Sequence, residues 1–146
     1  MGITGVFPVN NIKFKVGTHG AGSTETQMVV VKDMESFSIS FDNGVEEWKP
    51  LDQNGWVRRL MTAKSVTVSV SGKRHYGDVG NDFVAGLAYA NGEAAASVLH
   101  VVFPDGGKLV MHCVINVSAA DGGDSAAVAE LAFECMSDGQ PVYTAA

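Results

Sequence analysis

Four histidines, at positions 19, 75, 100 and 112, and two cysteines, at 113 and 135, are the residues of this chain whose types could hold a metal ion or act as base and nucleophile. Structural zinc sites draw four such ligands from paired short spacings and catalytic ones draw three. The chain has neither HExxH nor paired CxxC. A turn at Pro104-Asp105-Gly106-Gly107 would bring His100 near His112, so a metal pair is conceivable. With no third ligand nearby, two polar side chains on a wet or interfacial strand face is the favoured reading. Ser71, His75 and Asp78 could supply hydroxyl, base and orienting acid, yet they fall within one turn that implies no oxyanion site. Gly72-Lys73 lacks both the glycine spacing and the following Ser or Thr of a phosphate loop. Asp121-Gly122-Gly123-Asp124 lacks the alternating oxygen ligands and terminal Glu of a calcium loop. The expectation is a protein that is not an enzyme and carries no cofactor or metal.

The elements around these residues read as β structure. Val66, Val68 and Val70 alternate with Thr67, Ser69 and Ser71, as in a strand with one dry and one wet face. Strands are also expected over 12–16, from Met28, over Phe37–Asp42 and over Ala96–Phe103. Two more place Leu109, Met111, Cys113, Ile115 and Val117 on one face, and Ala127, Ala129, Leu131, Phe133 and Cys135 on another, with Glu130 and Glu134 pointing away. Asp42-Asn43-Gly44 is a strong turn signal. One short helix carries Phe83, Val84, Leu87 and Ala88 on a single stripe, with Asn81 or Asp82 available as its cap and Asn91-Gly92 as its stop.

Two stretches resist periodic reading. Residues 17–27 form a polar, glycine-containing loop. Residues 45–64 hold Trp48, Pro50, Gly55, Trp56, Arg58 and Arg59 with no clean period, an irregular segment of the kind that docks on a partner. Trp and Arg are enriched among interface anchors, so Trp48, Trp56, Arg58 and Arg59 are candidate contact residues between subunits, a reading preferred over burial in the core. Residues 1–10 read as an arm and 140–146 as a tail. The expected architecture is one domain over 1–146: about seven strands in an antiparallel sandwich or half-open barrel, with one helix on its side.

With 146 residues the chain can bury a core without disulfides, and the two cysteines are expected to be a buried, free pair. The 17 glycines favour turn-rich β structure. A net charge of −6, from 10 basic and 16 acidic residues, argues against tight nucleic-acid binding, which needs several Lys or Arg contacts to phosphates. No segment reads as a signal peptide, an acylation motif or a membrane span, so a soluble protein of the cytoplasm is expected, unless it leaves as part of something larger.

The runs Glu46–Asp52, Gly55–Thr62 and Ser71–Arg74, followed by Tyr76–Leu87, resemble tail tube proteins of long-tailed bacteriophages. Phe103–Gly106, Gly122–Ser125 and Ser137–Pro141 follow in the same order, so the resemblance is collinear over roughly residues 35–144. It implies a β-sandwich with one flanking helix, assembled as hexameric rings that stack into a hollow tube. Sheets of neighbouring subunits would join around a lumen through which DNA leaves the capsid. The implied partners are further copies of the chain, the tail tip or baseplate, the tape-measure protein and the tail terminator, with DNA only in passage. The implied location is the virion tail, assembled in the host cytoplasm. Glu130 and Glu134, with Asp42 behind them, are the first candidates for lumen-facing carboxylates, the alternative being solubilising charge on the outer surface. A capsid-decorating or receptor-binding sandwich is the second functional reading.

Overall fold

A computed structural model of the chain describes residues 5, 6, 8, 12–104, 106–122 and 124–145. It contains strands β1 (Lys13–Gly17), β2 (Met28–Val30), β3 (Met34–Trp48) and β4 (Arg58–Lys73), then helix α1 (Val79–Gly86). Strands β5 (Ala96–Val102), β6 (Lys108–Ala120), β7 (Glu130–Ser137) and β8 (Val142–Thr144) follow. The strands form one antiparallel sheet in the order β2-β1-β5-β6-β7-β4-β3, with β8 on β6. The sheet curls without closing. Its ends approach where Phe14 of β1 meets Phe37 of β3 edge-on, centroids 4.8 Å apart, and where the Lys73 amide donates to Asp33 O at 2.8 Å. This is the mainly β, half-open architecture expected, with its single α-helix.

Alternation sets the core. Val66, Val68 and Val70 of β4, Met111, Cys113 and Ile115 of β6, and Leu131, Phe133 and Cys135 of β7 are buried on the concave side. Phe14, Val16, Leu99 and Val101 join them from β1 and β5, and Val84 and Ala85 of α1 close the open side. Their neighbours in sequence point outward: Ser69 pairs with Ser38 on one flank and Glu134 on the other.

Several expected boundaries move. The helix cap is neither Asn81 nor Asp82 but Asp78, whose carboxylate accepts from the Asn81 amide at 3.0 Å. Asn81 is fully buried. It accepts from Arg74 Nη1 (2.8 Å) and the His75 amide (3.0 Å), and donates to Lys32 O (3.1 Å) and Lys73 O (3.0 Å). One side chain thereby ties three chain segments together. The helix ends at Gly86, and Asn91-Gly92 opens a short 3-10 turn over Gly92–Ala95 instead of stopping it. Within the expected tail 140–146, residues Val142–Thr144 form β8 on β6. The expected arm 1–10 lies mostly outside the described residues.

The largest revision concerns residues 45–64. The turn expected at Asp42-Asn43-Gly44 is absent, because β3 runs straight through it, with Asn43 opposite Lys64 and Gly44 opposite Ala63. The chain reverses instead at residues 49–57, where Leu51–Gln53 makes a 3-10 turn and Asn54 and Gly55 both adopt positive φ, 54° and 86°. The segment is the outer half of a long hairpin.

Two phenylalanines on the same face of the sheet give a direct test of where the body ends. Phe133 is 1% exposed and Phe41 is 63% exposed. In the unassembled chain, Phe133→Ala should cost about 3–5 kcal/mol in urea unfolding, whereas Phe41→Ala should change stability by less than about 0.5 kcal/mol.

Candidate assembly surface

β4 pairs with β7 only from Thr67 to Lys73, whereas it pairs with β3 along its whole length to Arg58. Beyond Thr67 only Val66 still meets the body, its side chain buried and its amide donating to Ser137 Oγ at 2.9 Å, and the hairpin then continues as a two-stranded ribbon. Such a ribbon is marginal in water unless one face is covered. Cross-strand partners share a face, so the register assigns its side chains. One face continues the core row: Ile39 with Val68, Phe41 with Val66, Asn43 with Lys64, then Val45 with Met61 and Glu47 with Arg59. The other continues the wet row: Ser40 with Thr67, Asp42 with Ser65, Gly44 with Ala63, Glu46 with Leu60 and Trp48 with Arg58. The register shifts at Gly44/Val45, where Thr62 is the extra residue and its hydroxyl donates to Gly44 O at 3.3 Å.

The four residues proposed from sequence as contact anchors all lie at the far end of this ribbon. Trp48 and Arg58 face each other across the strands. Arg59 lies on the opposite face in an ion pair with Glu47 at 2.8 Å. Trp56 is 77% exposed beside Leu51 in the tip turn. Phe41, Val45, Leu60 and Met61 are also exposed. Sequence reading passed over these four, although Asn54-Gly55 is the dipeptide that would have placed the hairpin turn correctly.

The proposed acidic residues share one face, spread along it. Glu130 pairs with Lys73, Glu134 with Ser69 and Asp42 with Ser65, which puts all three on the outward face of the layer β3-β4-β7-β6. Hydroxyls dominate that face, from Ser36, Ser38 and Ser40 of β3 to Thr67, Ser69 and Ser71 of β4. Ser36 and Ser71 share a hydrogen bond of 2.7 Å. The cations on this face include Lys73, which pairs with Glu35 at 3.4 Å, Arg58 near the tip and Lys108 at the start of β6.

Both ends of this four-stranded layer are open. Among the described residues β3 pairs only with β4, leaving its outer edge bare. β5 covers β6 only as far as Val114, so Ile115–Ala120 have no strand on that side. A groove of about 420 Å³ lies there, between β6 and the segment 87–95.

The groups whose types could do chemistry are engaged otherwise. His75 bonds Asp33, Ser71 bonds Ser36 and Asp78 caps the helix, so the three never meet. His100 pairs with Val110 and His112 with Val98, a diagonal placement in which only His100 is buried. No group of three potential metal ligands occurs among the described residues. Asp121 accepts from the Tyr76 hydroxyl, which raises the tyrosine pKa above its usual value. The Arg74 guanidinium beside Asp82 lowers that carboxyl. Cys113 and Cys135 are free and buried, as expected, and a shared thiol hydrogen bond plus burial raises Cys135 well above the ordinary range.

Comparison with known proteins bears on the fold. No family model and no curated protein sequence matches the chain. Solved structures do. A chain from the tail of an empty GTA particle, refined with C6 symmetry, superposes with a TM-score of 0.75 at 22% identity, over 96% of this chain and 100% of that one. A chain from the virion of a native gene transfer agent particle gives 0.68 at 19% identity over 96% and 100%. A chain from the PVC sheath-tube complex of an extracellular contractile injection system in its extended state gives 0.60 at 13% identity over 97% and 93%. This chain shares its fold with these chains.

Burial of His100 yields a pH prediction. Desolvation lowers its pKa despite Glu25, whose carboxylate lies 3.5 Å from Nδ1, too far to hydrogen-bond; Lys108 and Lys15 lower it further. The unfolded chain therefore binds the proton more readily, so stability is intact above the unfolded pKa of about 6.5 and declines as pH falls below it. Thermal unfolding of wild type should show this decline between pH 7 and 5, and His100→Gln should flatten it.

Proposed function

We propose that the chain is a structural protein of a virion tail that polymerises with copies of itself as stacked hexameric rings, forming the hollow tube through which DNA is ejected. The observation that carries this reading is the β3–β4 ribbon. On its core-side row Phe41, Val45 and Met61, separated by the Asn43–Lys64 pair, stand exposed beyond the body that could cover them. A ribbon with exposed apolar side chains and an open edge invites association with further copies. The shared fold supplies the context, since the similar chains come from a tail, a virion and a sheath-tube complex.

In this reading the outward face of β3-β4-β7-β6 lines the lumen. Hydroxyls hydrate it, and the carboxylates of Asp42, Glu130 and Glu134 repel passing phosphates so that DNA slides without sticking. Trp48, Trp56, Arg58 and Arg59, at the ribbon's end, contact a neighbouring subunit or ring. The remaining partners are the tail tip or baseplate, the tape-measure protein and the terminator. Assembly takes place in the host cytoplasm.

Negative-stain microscopy of the purified protein across a concentration series, with mass measured in parallel, tests the reading. Six-fold rings or hollow tubes are expected. A closed trimer that never stacks would instead favour a capsid-decorating module. For the lumen, tails carrying Glu130→Lys and Glu134→Lys together should assemble but eject DNA poorly; normal ejection would refute that assignment.

A further inference from the structure

Asn-Gly pairs occur at 43-44, 54-55 and 91-92, each in a different backbone setting. We infer that Asn91-Gly92, on the segment between α1 and β5, is a site of spontaneous deamidation in the folded chain. Water is the co-reactant, and aspartate and isoaspartate are the products. The site stands on its own local geometry and is independent of the self-assembly proposed above.

Deamidation of this kind needs the amide nitrogen that follows an asparagine to reach that residue's own side-chain carbon. Glycine helps, having no side chain to hinder the approach. Asn91 is extended, with φ −137° and ψ 154°, and its Oδ1 accepts from the Gly92 amide at 2.8 Å. Adding a carbonyl bond of about 1.2 Å, Cγ lies within about 4 Å of that nitrogen. Nucleophile and electrophile are therefore neighbours before reaction, the condition from which intramolecular steps gain rate. Both residues are exposed and line the open groove beside β6, so water and solvent bases reach them.

The other two pairs are held away from this geometry. Asn54 is left-handed, with φ 54° and ψ 37°, which turns the Gly55 nitrogen to the side of the Cα–C bond away from Cβ. The Trp56 amide closes that turn by donating to Gln53 O at 3.0 Å. Asn43-Gly44 is fixed in the β3–β4 ladder, opposite Lys64 and Ala63. Turn or ladder must open locally before either pair can cyclise. Asn91 needs no such opening.

The step balances without an oxidant. The Gly92 nitrogen gives its proton to a solvent base and bonds to Cγ of Asn91. The side-chain nitrogen leaves as ammonia, and a five-membered succinimide closes. Water then opens the ring. Breaking the Cγ–N bond gives aspartate at position 91, whereas breaking the bond between the main-chain carbonyl carbon and that nitrogen gives isoaspartate. One water is consumed and one ammonia released. Either product adds a negative charge to a chain already at −6, beside a groove that no charged side chain lines. Aspartate can still cap the turn Gly92–Ala95. Isoaspartate carries the main chain through Cβ and Cγ, which lengthens it and displaces the cap.

Incubation of the wild-type chain in mildly alkaline buffer, native and in guanidinium chloride, followed by peptide mass mapping of all three pairs, tests the inference. Enzymatic methylation of isoaspartate separates the two products. In guanidinium the three sites should react at similar rates, since each precedes glycine. In the native chain Asn91 should lead Asn43 and Asn54 by roughly tenfold or more. Its rate should rise with pH, because the attacking nitrogen must first lose its proton. Asn91→Gln should abolish the modification at that site and leave Asn43 and Asn54 reacting as before. Failure of Asn91 to lead in the native chain, or a slower reaction there than in guanidinium, overturns the assignment.

Discussion

The structure depends on a mismatch of lengths. The β3–β4 pair is continuous, but the strand that supports it from the other side, β7, stops pairing at Thr67. Within the overlap, every inward side chain of β4 is buried against β6, β7 and α1. Past Val66, the same alternation continues with its core-side residues exposed. The fold is thus a stable body and a dependent ribbon drawn from one pair of strands. Cross-strand pairs contribute only fractions of a kcal/mol each, so the ribbon relies on the body at its root and on association for the rest.

The root is secured accordingly. Gly72 sits so close to Asp33 and Met34 that a Cβ there would overlap their backbone, which lets the end of β4 abut the link between β2 and β3. Asn81 satisfies Lys32 O and Lys73 O on the two sides of that junction, and Arg74 reaches Asn81 at 2.8 Å and Asp82 at 2.7 Å while covering the Tyr76 ring. A buried amide with all its partners fixes geometry more effectively than an apolar contact of the same size. The direction in which the ribbon leaves the body is set here, well away from its tip.

What could be read from the sequence follows from this division. Val66, Val68 and Val70 alternate with polar residues because one face of β4 is dry, and the same reason made β1, β6 and β7 visible, whereas β5, buried from Ser97 to Val101, shows no such alternation. The ribbon was not visible because, within a single chain, both its faces meet water, and neither face is uniformly polar. Trp48 and Leu60 share a face with Asp42, while Glu47 and Arg59 share one with Val45. A period-2 test finds no signal there. Asp42-Asn43-Gly44 misled for a local reason: Gly44 faces Ala63 beside the register shift, where its missing Cβ relieves crowding, and its backbone stays extended. The helix cap was misplaced because Asp78 follows a turn with polar residues at almost every position. Of the candidate functional residues, the three carboxylates could be assigned one face because they flank regular strands, and the four anchors could be grouped but not oriented.

The extra residue at Thr62 has a consequence for how the chain can vary. It acts as a frame shift in three dimensions. With it, Met61 and Arg59 fall on the core side of the ribbon and Leu60 and Arg58 on the wet side. Without it, every β4 residue between Thr62 and the tip would trade sides. An insertion or deletion between 58 and 66 therefore does not merely lengthen or shorten the ribbon. It inverts the outer part of β4, and a second change of opposite sign nearby would restore it. Variation among chains of this architecture should accordingly come in compensated pairs on that strand, or be confined to the 49–57 turn, where parity has no meaning.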